Sequence, residues 1–98
     1  MVEAAESLME VSLMPYYVYI IQCKGGSFYT GYTKNLDARL LLHMNGKGAR
    51  YTRMHKAKKL VYTEEFSSRL EAIRKERKIK GLTHCKKLEL INSWTKPK

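Results

Sequence analysis

The fold of this chain is decided by residues 16–32, which read YYVYIIQC-KGGS-FYTGY. The first eight are mostly aromatic and β-branched, a composition typical of strands. Residues 24–27, the KGGS segment, predict a hairpin turn, because glycine supplies the positive φ that tight turns between strands require. Residues 28–32 then form the returning strand. The domain therefore opens with a β-hairpin.

A first helix is predicted from Asn35, a suitable N-cap, to about Asn45. Gly46 and Gly48 follow and would end it. Its buried side is expected to carry the apolar residues Leu36, Leu40, Leu41 and Met44. The basic stretch around Tyr51 is predicted to be a loop with a helical turn.

The second half of the chain predicts one strand and two helices. Residues 60–66 form the third strand, a capping-box pattern at Ser68 begins a helix to Lys80, and Thr83 begins a last helix to Ser93. The inward residues of the last helix and its final anchor are expected to be Cys85, Leu88, Ile91 and Trp94. The predicted fold class is α+β: a three-stranded antiparallel sheet flanked by helices, in the order β-β-α-β-α-α.

Charge separates an acidic start from a basic domain. Residues 1–14 carry three Glu and no Lys or Arg, a net of −3, and are predicted to be a disordered extension. Residues 15–94 are the predicted domain and 95–98 a frayed tail. From residue 15 onward the chain holds nineteen bases and six acids, a net of +13. This balance favours a nucleic-acid partner, although a basic surface also serves solubility alone.

Several protein classes are disfavoured by the sequence. Cys23 and Cys85 lack CxxC spacing and are expected to be free thiols, and together with the histidines they show no zinc-like pattern. No apolar run approaches the roughly 20 residues of a membrane helix, and the acidic start is not a secretory signal. P-loop, dinucleotide and Gly-x-Ser-x-Gly motifs are missing. We therefore expect a cytoplasmic protein with no membrane partner.

The side chains suited to phosphodiester chemistry are, in chain order, Tyr19, Tyr29, Arg39, His43 and Glu76. Arg39 and His43 lie one helical turn apart and project from the same face. A phenol with a pKa of about 10 is a poor base unless a nearby cation lowers that pKa. Structural alternatives remain open: tyrosines commonly pack in strands, the Arg-His pair could be solvated, and Glu76 has Lys80 at i+4. The scarcity of acids argues against a two-metal site.

In this order the residues resemble the GIY-YIG nuclease domain, especially its small stand-alone bacterial members. Residues 17–19, Tyr-Val-Tyr, stand where the family has Gly-Ile-Tyr, and residues 29–31, Tyr-Thr-Gly, where it has Tyr-Ile-Gly. Arg39 and His43 match its Arg-x3-His helix, and Glu76 falls at its metal-binding Glu. The resemblance runs from about residue 16 to 91.

Two further features belong to this resemblance. Residues 46–52 look like the Gly-rich stretch of the stand-alone members. Some members carry a Lys directly after the second tripeptide, where this chain has Tyr32, and Tyr17 replaces the first glycine of the motif.

The resemblance implies the hydrolysis of DNA phosphodiester bonds with one divalent metal. Tyr19 would activate the attacking water and Tyr29 would assist or position it. Arg39 would hold the scissile phosphate, while His43 would tune a phenol or shuttle protons. Glu76 would bind the metal, and a single carboxylate completed by waters and phosphate oxygens suits Mg²⁺.

The expected partner is nucleic acid, most simply DNA, with room for a partner protein that supplies specificity. The bases expected to contact it are Lys34, Lys47, Arg50, Arg53 and Lys56. We expect a monomer. The alternative function is a nucleic-acid-binding module, for DNA or RNA, that is weakly active or inactive. A protein-interaction adaptor that binds an acidic partner is a third, weaker interpretation.

The turn length offers a structural test of the catalytic interpretation. A two- or four-residue turn would pair Tyr19 with Tyr32 and Tyr29 with Gln22. Because neighbours in a strand point to opposite faces, the two motif phenols would then lie on opposite sides of the sheet. A shared site requires a bulge or an odd-length loop in this hairpin, and we predict one there.

Overall fold

A computed structural model describes residues 15–94 of the chain. The predicted disorder of residues 1–14 and the predicted fraying of residues 95–98 lie outside the described residues. The strands and helices, in chain order, are β1 (Tyr16–Cys23), β2 (Phe28–Thr33), α1 (Leu36–Met44), α2 (Arg50–His55), β3 (Ala57–Phe66), α3 (Arg69–Lys80) and α4 (His84–Ser93). The α+β class and the three-stranded antiparallel sheet are confirmed, and the strand order is β2-β1-β3. None of the helices within residues 15–94 is long and apolar enough to cross a membrane.

The hairpin has the odd-length loop that a shared site requires. Tyr19 pairs with Gly31 and Ile21 pairs with Tyr29, without a register shift between β1 and β2. Beyond the last pair, the Cys23 amide donates to the Ser27 carbonyl at 2.8 Å, which leaves the three residues 24–26 as the loop. Both glycines of this loop have positive φ, 93° and 94°. The prediction is confirmed by loop length, and both motif phenols lie on one face of the sheet.

The central strand buries side chains on both faces of the sheet. On one face, Val18 and Ile20 pack against Ala72 and Ile79 of α3. On the other face, Tyr19, Ile21 and Cys23 pack with partly buried apolar residues that include Leu36 and Leu40 of α1. The two layers of helices therefore cover opposite faces, and the catalytic candidates of the hairpin belong to the α1 side.

The predicted buried side of α1 is only half correct. Leu36 and Leu40 pack against the sheet, but Leu41 is 62% exposed and Met44 is 41% exposed. The residue that completes the inward stripe is His43, which is 1% exposed. The spacing 36, 40 and 43 follows one helical face, and the buried polar residue takes the place that apolar composition assigned to leucine and methionine.

Helix α4 also buries a face that differs from the predicted one. The prediction placed Cys85 and Leu88 inward, but Cys85 is exposed and Leu88 is 38% exposed. The predicted inward position of Ile91 is confirmed, and Leu90 and Trp94 pack against the core with it. These three positions share one helical face. The predicted anchor at Trp94 is confirmed, and its ring centroid lies 6.3 Å from that of Tyr62.

Two boundaries in the middle of the chain also differ from prediction. The basic stretch contains a six-residue helix, α2, where a loop with one helical turn was expected. Strand β3 begins at Ala57 rather than at residue 60, because its backbone continues to pair with Gln22 and Cys23. The added positions, Lys58 and Lys59, are exposed on an edge strand. Charged residues are common on such edges, and their low strand propensity concealed this extension.

The predicted caps are correct. The Asn35 side chain accepts from the Ala38 amide at 3.1 Å, and Ser68 accepts from the Glu71 amide at 3.2 Å. Thr83 accepts from the Lys86 amide at 3.2 Å. Each bond satisfies an N–H group that the first turn of a helix leaves without a partner.

Candidate active site

The site is built around the Tyr19 phenol, which lies over the backbone of the neighbouring strand. Its direct partner in the register is Gly31, and a Cβ atom at that glycine would lie 2.6 Å from Tyr19 Oη. The Tyr29 ring lies alongside, with its centroid 6.3 Å from that of Tyr19. The glycine of the second tripeptide is therefore needed because the phenol occupies the space of a side chain.

A buried hydrogen-bonded chain continues from Tyr19 into the protein. Tyr19 Oη lies 2.9 Å from His43 Nε2, and His43 Nδ1 lies 2.7 Å from Thr52 Oγ1. Thr52 Oγ1 donates to the Ala49 carbonyl at 3.0 Å. Tyr19, His43 and Thr52 are each at most 2% exposed. The chain thus links β1, α1 and α2 through side chains that are almost fully buried.

The hydrogen bond that Thr52 donates determines which atom is the donor in the other two hydrogen bonds of this chain. A hydroxyl has one hydrogen, and Thr52 uses it on the Ala49 carbonyl, so Thr52 Oγ1 must accept from His43 Nδ1–H. In a neutral imidazole the second nitrogen then carries a lone pair. His43 Nε2 therefore accepts the Tyr19 hydroxyl, and the histidine is positioned as a proton acceptor for the phenol.

The pKa shifts agree with this assignment. Burial, aided by the positive charge of Arg39, lowers the pKa of His43 and keeps the imidazole neutral. Burial also raises the pKa of Tyr19, and the neighbouring Tyr29 and Glu76 act in the same direction while Arg39 opposes it. We expected a cation to make the phenol acidic, but burial outweighs Arg39. Tyr19 is therefore a protonated phenol that donates to a neutral histidine.

A second glycine makes room for the histidine. A Cβ atom at Gly48 would overlap the His43 ring, with Nδ1 as the nearest atom. Gly48 and Thr52 both belong to the segment 46–52, which resembled the Gly-rich stretch of stand-alone nucleases but received no individual role from sequence. The structure gives it one, because this segment holds His43 in position.

Tyr19 is one of the residues that line an open pocket of about 730 Å³. Four of the five predicted catalytic residues, Tyr19, Tyr29, Arg39 and Glu76, line it. His43 does not, since it lies behind the phenol and acts on the pocket only through Tyr19. Burial, with the negative charge of Glu76, raises the pKa of Tyr29, so the second phenol is also a hydrogen-bond donor.

Glu76 reaches the pocket from the opposite layer of the fold. It lies on α3, whose Ala72 and Ile79 pack on the sheet face away from Tyr19. The pocket is lined by successive residues of edge strand β2, so residues of both faces of the sheet contribute to its walls. The Glu76 side chain is 15% exposed and lies 3.7 Å from Lys80 Nζ, the helical ion pair that sequence spacing suggested.

A cation that sequence reasoning missed lies at the entrance to the pocket. The Arg69 guanidinium donates to Tyr32 Oη at 3.2 Å and lies 5.9 Å from the centroid of that ring. Tyr32 stands where some relatives of the resembled family carry Lys. Arg69, which begins α3, thus brings a positive charge to this corner of the pocket from a distant part of the chain. No local sequence signal pairs residues 37 positions apart.

The predicted nucleic-acid contacts fall into two groups. Lys34 lines the pocket together with Arg39 and Arg69. The other four, Lys47, Arg50, Arg53 and Lys56, are exposed on α2 or beside it and do not line the pocket. They form a separate basic region on the α1–α2 side of the molecule.

The donor set bears on the expected metal. Residues 15–94 contain no cluster of three or more His, Cys, Asp and Glu side chains able to hold a metal on their own. Within the described part of the chain, Glu76 is the only carboxylate that lines the pocket. One carboxylate with an open, solvated approach fits a hard cation that keeps most of its waters and gains ligands from a bound phosphate, which is the behaviour of Mg²⁺.

We expect Gly31→Ala to lower the free energy of unfolding by about 1–3 kcal/mol, the usual cost of overpacking. The new methyl would displace Tyr19 Oη, with Tyr19 Cζ also only 2.8 Å away. Urea unfolding of the purified variant measures the change. Gly81→Ala is the matched control, because a Cβ there meets nothing closer than 3.6 Å and φ is −80°. Equal stability of the two variants would contradict the proposed packing of Tyr19.

The buried neutral His43 predicts a pH-dependent stability. Its pKa is lowered in the folded protein, so below about pH 6.5 the unfolded chain binds a proton that the folded protein excludes. The free energy of unfolding therefore has its full value above that pH. It decreases as the pH falls, by at most about 1.4 kcal/mol per pH unit. Urea unfolding between pH 7.5 and 5 should show this slope in the wild type and a smaller slope in His43→Gln. Identical slopes would show that His43 does not titrate as described.

The fold and the site together define a nuclease-type domain: a small basic α+β unit with two hairpin tyrosines, an arginine and a helical glutamate around one pocket. The chain belongs to the GIY-YIG family, since the family model described as the GIY-YIG catalytic domain matches residues 15–89. Membership indicates a nuclease-like fold and, in general terms, nucleic acid as the class of partner.

The relatives are small bacterial proteins of similar length. The chain is 52% identical to a UPF0213 protein of Clostridium perfringens, covering 79% of this chain and 83% of that protein. It is 50% identical to a UPF0213 protein of Staphylococcus haemolyticus, covering 78% and 93%.

Two solution NMR structures have the same fold. That of the UPF0213 protein BH0048 from Bacillus halodurans is 48% identical, with a TM-score of 0.53 over 81% of this chain and 84% of that one. That of EF2693 from E. faecalis is 35% identical, with a TM-score of 0.55 over 86% and 93%.

Proposed function

We propose that this protein is a Mg²⁺-dependent endonuclease that hydrolyses DNA phosphodiester bonds with a tyrosine-activated water and one metal. The observation that carries the proposal is the bond between Tyr19 Oη and the buried His43 Nε2 at 2.9 Å, beside a pocket lined by Arg39 and Glu76. A general base, a phosphate-binding cation and a metal-binding carboxylate are the minimum set for this reaction.

Proton transfer runs through the phenol. As an attacking water approaches phosphorus, Tyr19 Oη accepts its proton while the phenolic hydrogen passes to His43 Nε2. Tyr19 remains neutral throughout, so its raised pKa does not prevent the step. His43 becomes an imidazolium whose Nδ1–H stays bound to Thr52. The hydroxide adds to phosphorus, the bond to the leaving sugar oxygen breaks, and that oxygen takes a proton from solvent.

The phosphate is held by the basic side chains of the pocket. Arg39 can donate two parallel hydrogen bonds to the scissile phosphate and stabilise the charge that accumulates in the transition state. Lys34 and Arg69 line the same pocket and would bind the adjacent phosphates. Tyr29 adds a hydroxyl donor that positions the water or a phosphate oxygen.

Glu76 would hold the Mg²⁺ ion, which would polarise the phosphate and stabilise the leaving oxygen when bound. With a single carboxylate, the site would bind the ion weakly until a phosphate contributes ligands. Glu76 forms an ion pair with the exposed Lys80 at 3.7 Å, and Mg²⁺ would compete with that lysine for the carboxylate.

A catalytically weak or inactive nucleic-acid-binding module on the same scaffold is the second candidate. The observation in its favour is that burial raises the pKa of both Tyr19 and Tyr29, so neither phenol is a ready base without the transfer to His43. The net charge of +13 from residue 15 onward supports binding in either case. We also propose that the protein acts in the cytoplasm as a monomer, with specificity supplied by a partner protein.

Incubation of the full chain with labelled branched and single-stranded DNA, with and without Mg²⁺, tests the proposal. We expect discrete cleavage products only with Mg²⁺, and in parallel an NMR titration in which Mg²⁺ with bound DNA shifts the resonances of Glu76 and Tyr19. Binding without products, and with Glu76 unaffected by Mg²⁺, would refute the nuclease in favour of the binding module.

A further inference from the structure

A row of neighbouring aromatic rings runs from the pocket to the surface of α2. The Tyr29 ring is stacked against Tyr51 with centroids 6.0 Å apart and planes 27° apart. Tyr51 in turn lies against His55, with centroids 4.3 Å apart and planes 30° apart. Tyr29 lines the pocket, whereas Tyr51 is 36% exposed and His55 is exposed. Neither Tyr51 nor His55 takes part in the proton transfer described above.

The exposure of these two rings is not explained by packing. Tyr51 and His55 are one helical turn apart on α2 and share a face of that helix. Thr52 is the residue of α2 that is buried, and it already fixes the helix to His43. A second, exposed aromatic face on a six-residue helix therefore adds little to the core.

The surroundings of the two rings are strongly basic. Arg50 and Arg53 lie on α2 itself, Lys56 follows it directly, and Lys47 precedes it. All four side chains are exposed, and residues 46–56 contain no acid. Aromatic rings interleaved with exposed cations are the usual surface for unpaired nucleotides, because cations bind the backbone while bases stack on the rings.

We propose that Tyr51 and His55 form a stacking platform for an unpaired nucleobase next to the scissile phosphate. The idea rests on the proposed nucleic-acid function and deepens it. Tyr29 stacks on Tyr51 and also lines the pocket, so a base on the platform belongs to a nucleotide close to the phosphate held by Arg39. A paired base cannot offer its face to an exposed ring. The platform therefore selects single strands or unpaired bases at junctions over intact duplex.

Binding of single-stranded DNA in which one base at a time is removed tests this platform. Fluorescence anisotropy with EDTA, at one fixed salt concentration, measures affinity without cleavage. For the wild type we expect removal of the base at one or two positions to weaken binding by roughly five-fold to a hundred-fold, the range for stacking on an aromatic side chain. In Tyr51→Ala the intact strand should bind as weakly as the abasic strand does to wild type, and removing the base should cause no further loss.

Three comparisons complete the experiment. Tyr51→Phe keeps the ring and should bind intact strands as the wild type does. His84→Ala removes another exposed ring, which is stacked on Phe28 away from α2, and should change nothing. The same binding series with single-stranded RNA shows whether the platform binds bases of DNA or of RNA. If the NMR spectrum shows that Tyr51→Ala does not fold, His55→Ala replaces it in the binding series.

The proposal is overturned if no abasic position matters, if single strands do not bind, or if Tyr51→Ala loses equal affinity for intact and abasic strands. The last result would mean that Tyr51 acts only on the fold. Because no turnover is measured, a lack of nuclease activity does not affect this outcome. Conversely, normal cleavage combined with a flat abasic series would reject the platform and leave the nuclease intact.

Discussion

Tyr19→Phe is expected to reduce Mg²⁺-dependent DNA cleavage by about 100-fold to 10,000-fold, the range for loss of a general base. The substitution keeps the ring that packs beside Tyr29 and removes only the oxygen that bonds to His43 Nε2. Binding of DNA should persist, because Arg39, Lys34 and Glu76 are unchanged. The measurement is single-turnover cleavage of a branched oligonucleotide, with anisotropy of the same oligonucleotide in EDTA.

Tyr17→Phe is the matched control for this prediction. Tyr17 lies on the same strand and the same side of the sheet, two residues earlier, but does not line the pocket. Removal of the Tyr17 hydroxyl should leave the rate of DNA cleavage unchanged. Removing the Tyr19 hydroxyl leaves His43 without one partner, which can cost about 1–3 kcal/mol, so the assay is run where both variants are folded. Cleavage by Tyr19→Phe at the wild-type rate would eliminate the phenol as the base.

Glu76→Gln is expected to remove the metal dependence of the reaction together with at least about 100-fold of its rate, since metal stabilisation of the transition state is worth several kcal/mol. The amide keeps the size of the side chain but loses the negative charge that would hold Mg²⁺. Affinity for DNA in EDTA should be unchanged or slightly higher, because one negative charge leaves a basic pocket. A Mg²⁺ titration of the cleavage rate provides the measurement.

Glu89→Gln is the matched control for Glu76. Glu89 also lies in a helix and forms an ion pair with a lysine, Lys86 at 3.4 Å, but on α4 and outside the pocket. The Glu89→Gln variant should cleave DNA at the wild-type rate at every Mg²⁺ concentration. If Glu76→Gln retains the wild-type response to Mg²⁺, the metal is bound elsewhere or not used. Loss of cleavage in both would indicate a general effect of charge on DNA binding.

The two motif tyrosines show which features of the site could be predicted from local sequence. The two tripeptides and the KGGS turn predicted a hairpin and two candidate tyrosines. Sequence alone could not choose between even and odd loops, which differ by one residue in register, but the requirement for a shared site did. The observed pairing of Tyr19 with Gly31 then explains the glycine in steric terms that no composition argument supplied.

His43 marks the point at which pattern reasoning failed in detail. Its spacing from Arg39 suggested one shared face, and the apolar pattern assigned the buried stripe to Leu41 and Met44. In the structure His43 is the buried residue, whereas Arg39 is exposed and lines the pocket. Burial of an imidazole requires partners for both nitrogens. One partner is Tyr19, 24 positions earlier, and the other is Thr52, nine positions later.

The sequence by itself determined the hairpin, the capped helices and the basic charge, because these depend on composition and on neighbours within a few positions. The order of its motif residues and its basic residues also supplied five residues that line the pocket, namely Tyr19, Tyr29, Lys34, Arg39 and Glu76. Only the tertiary structure decided that Thr52 orients His43, that Arg69 lies over Tyr32, and that Tyr51 extends the row of rings from Tyr29. Each of these contacts joins elements far apart in the chain. Their geometry depends on how helices α1, α2 and α3 pack on the sheet, and local propensities do not encode that packing.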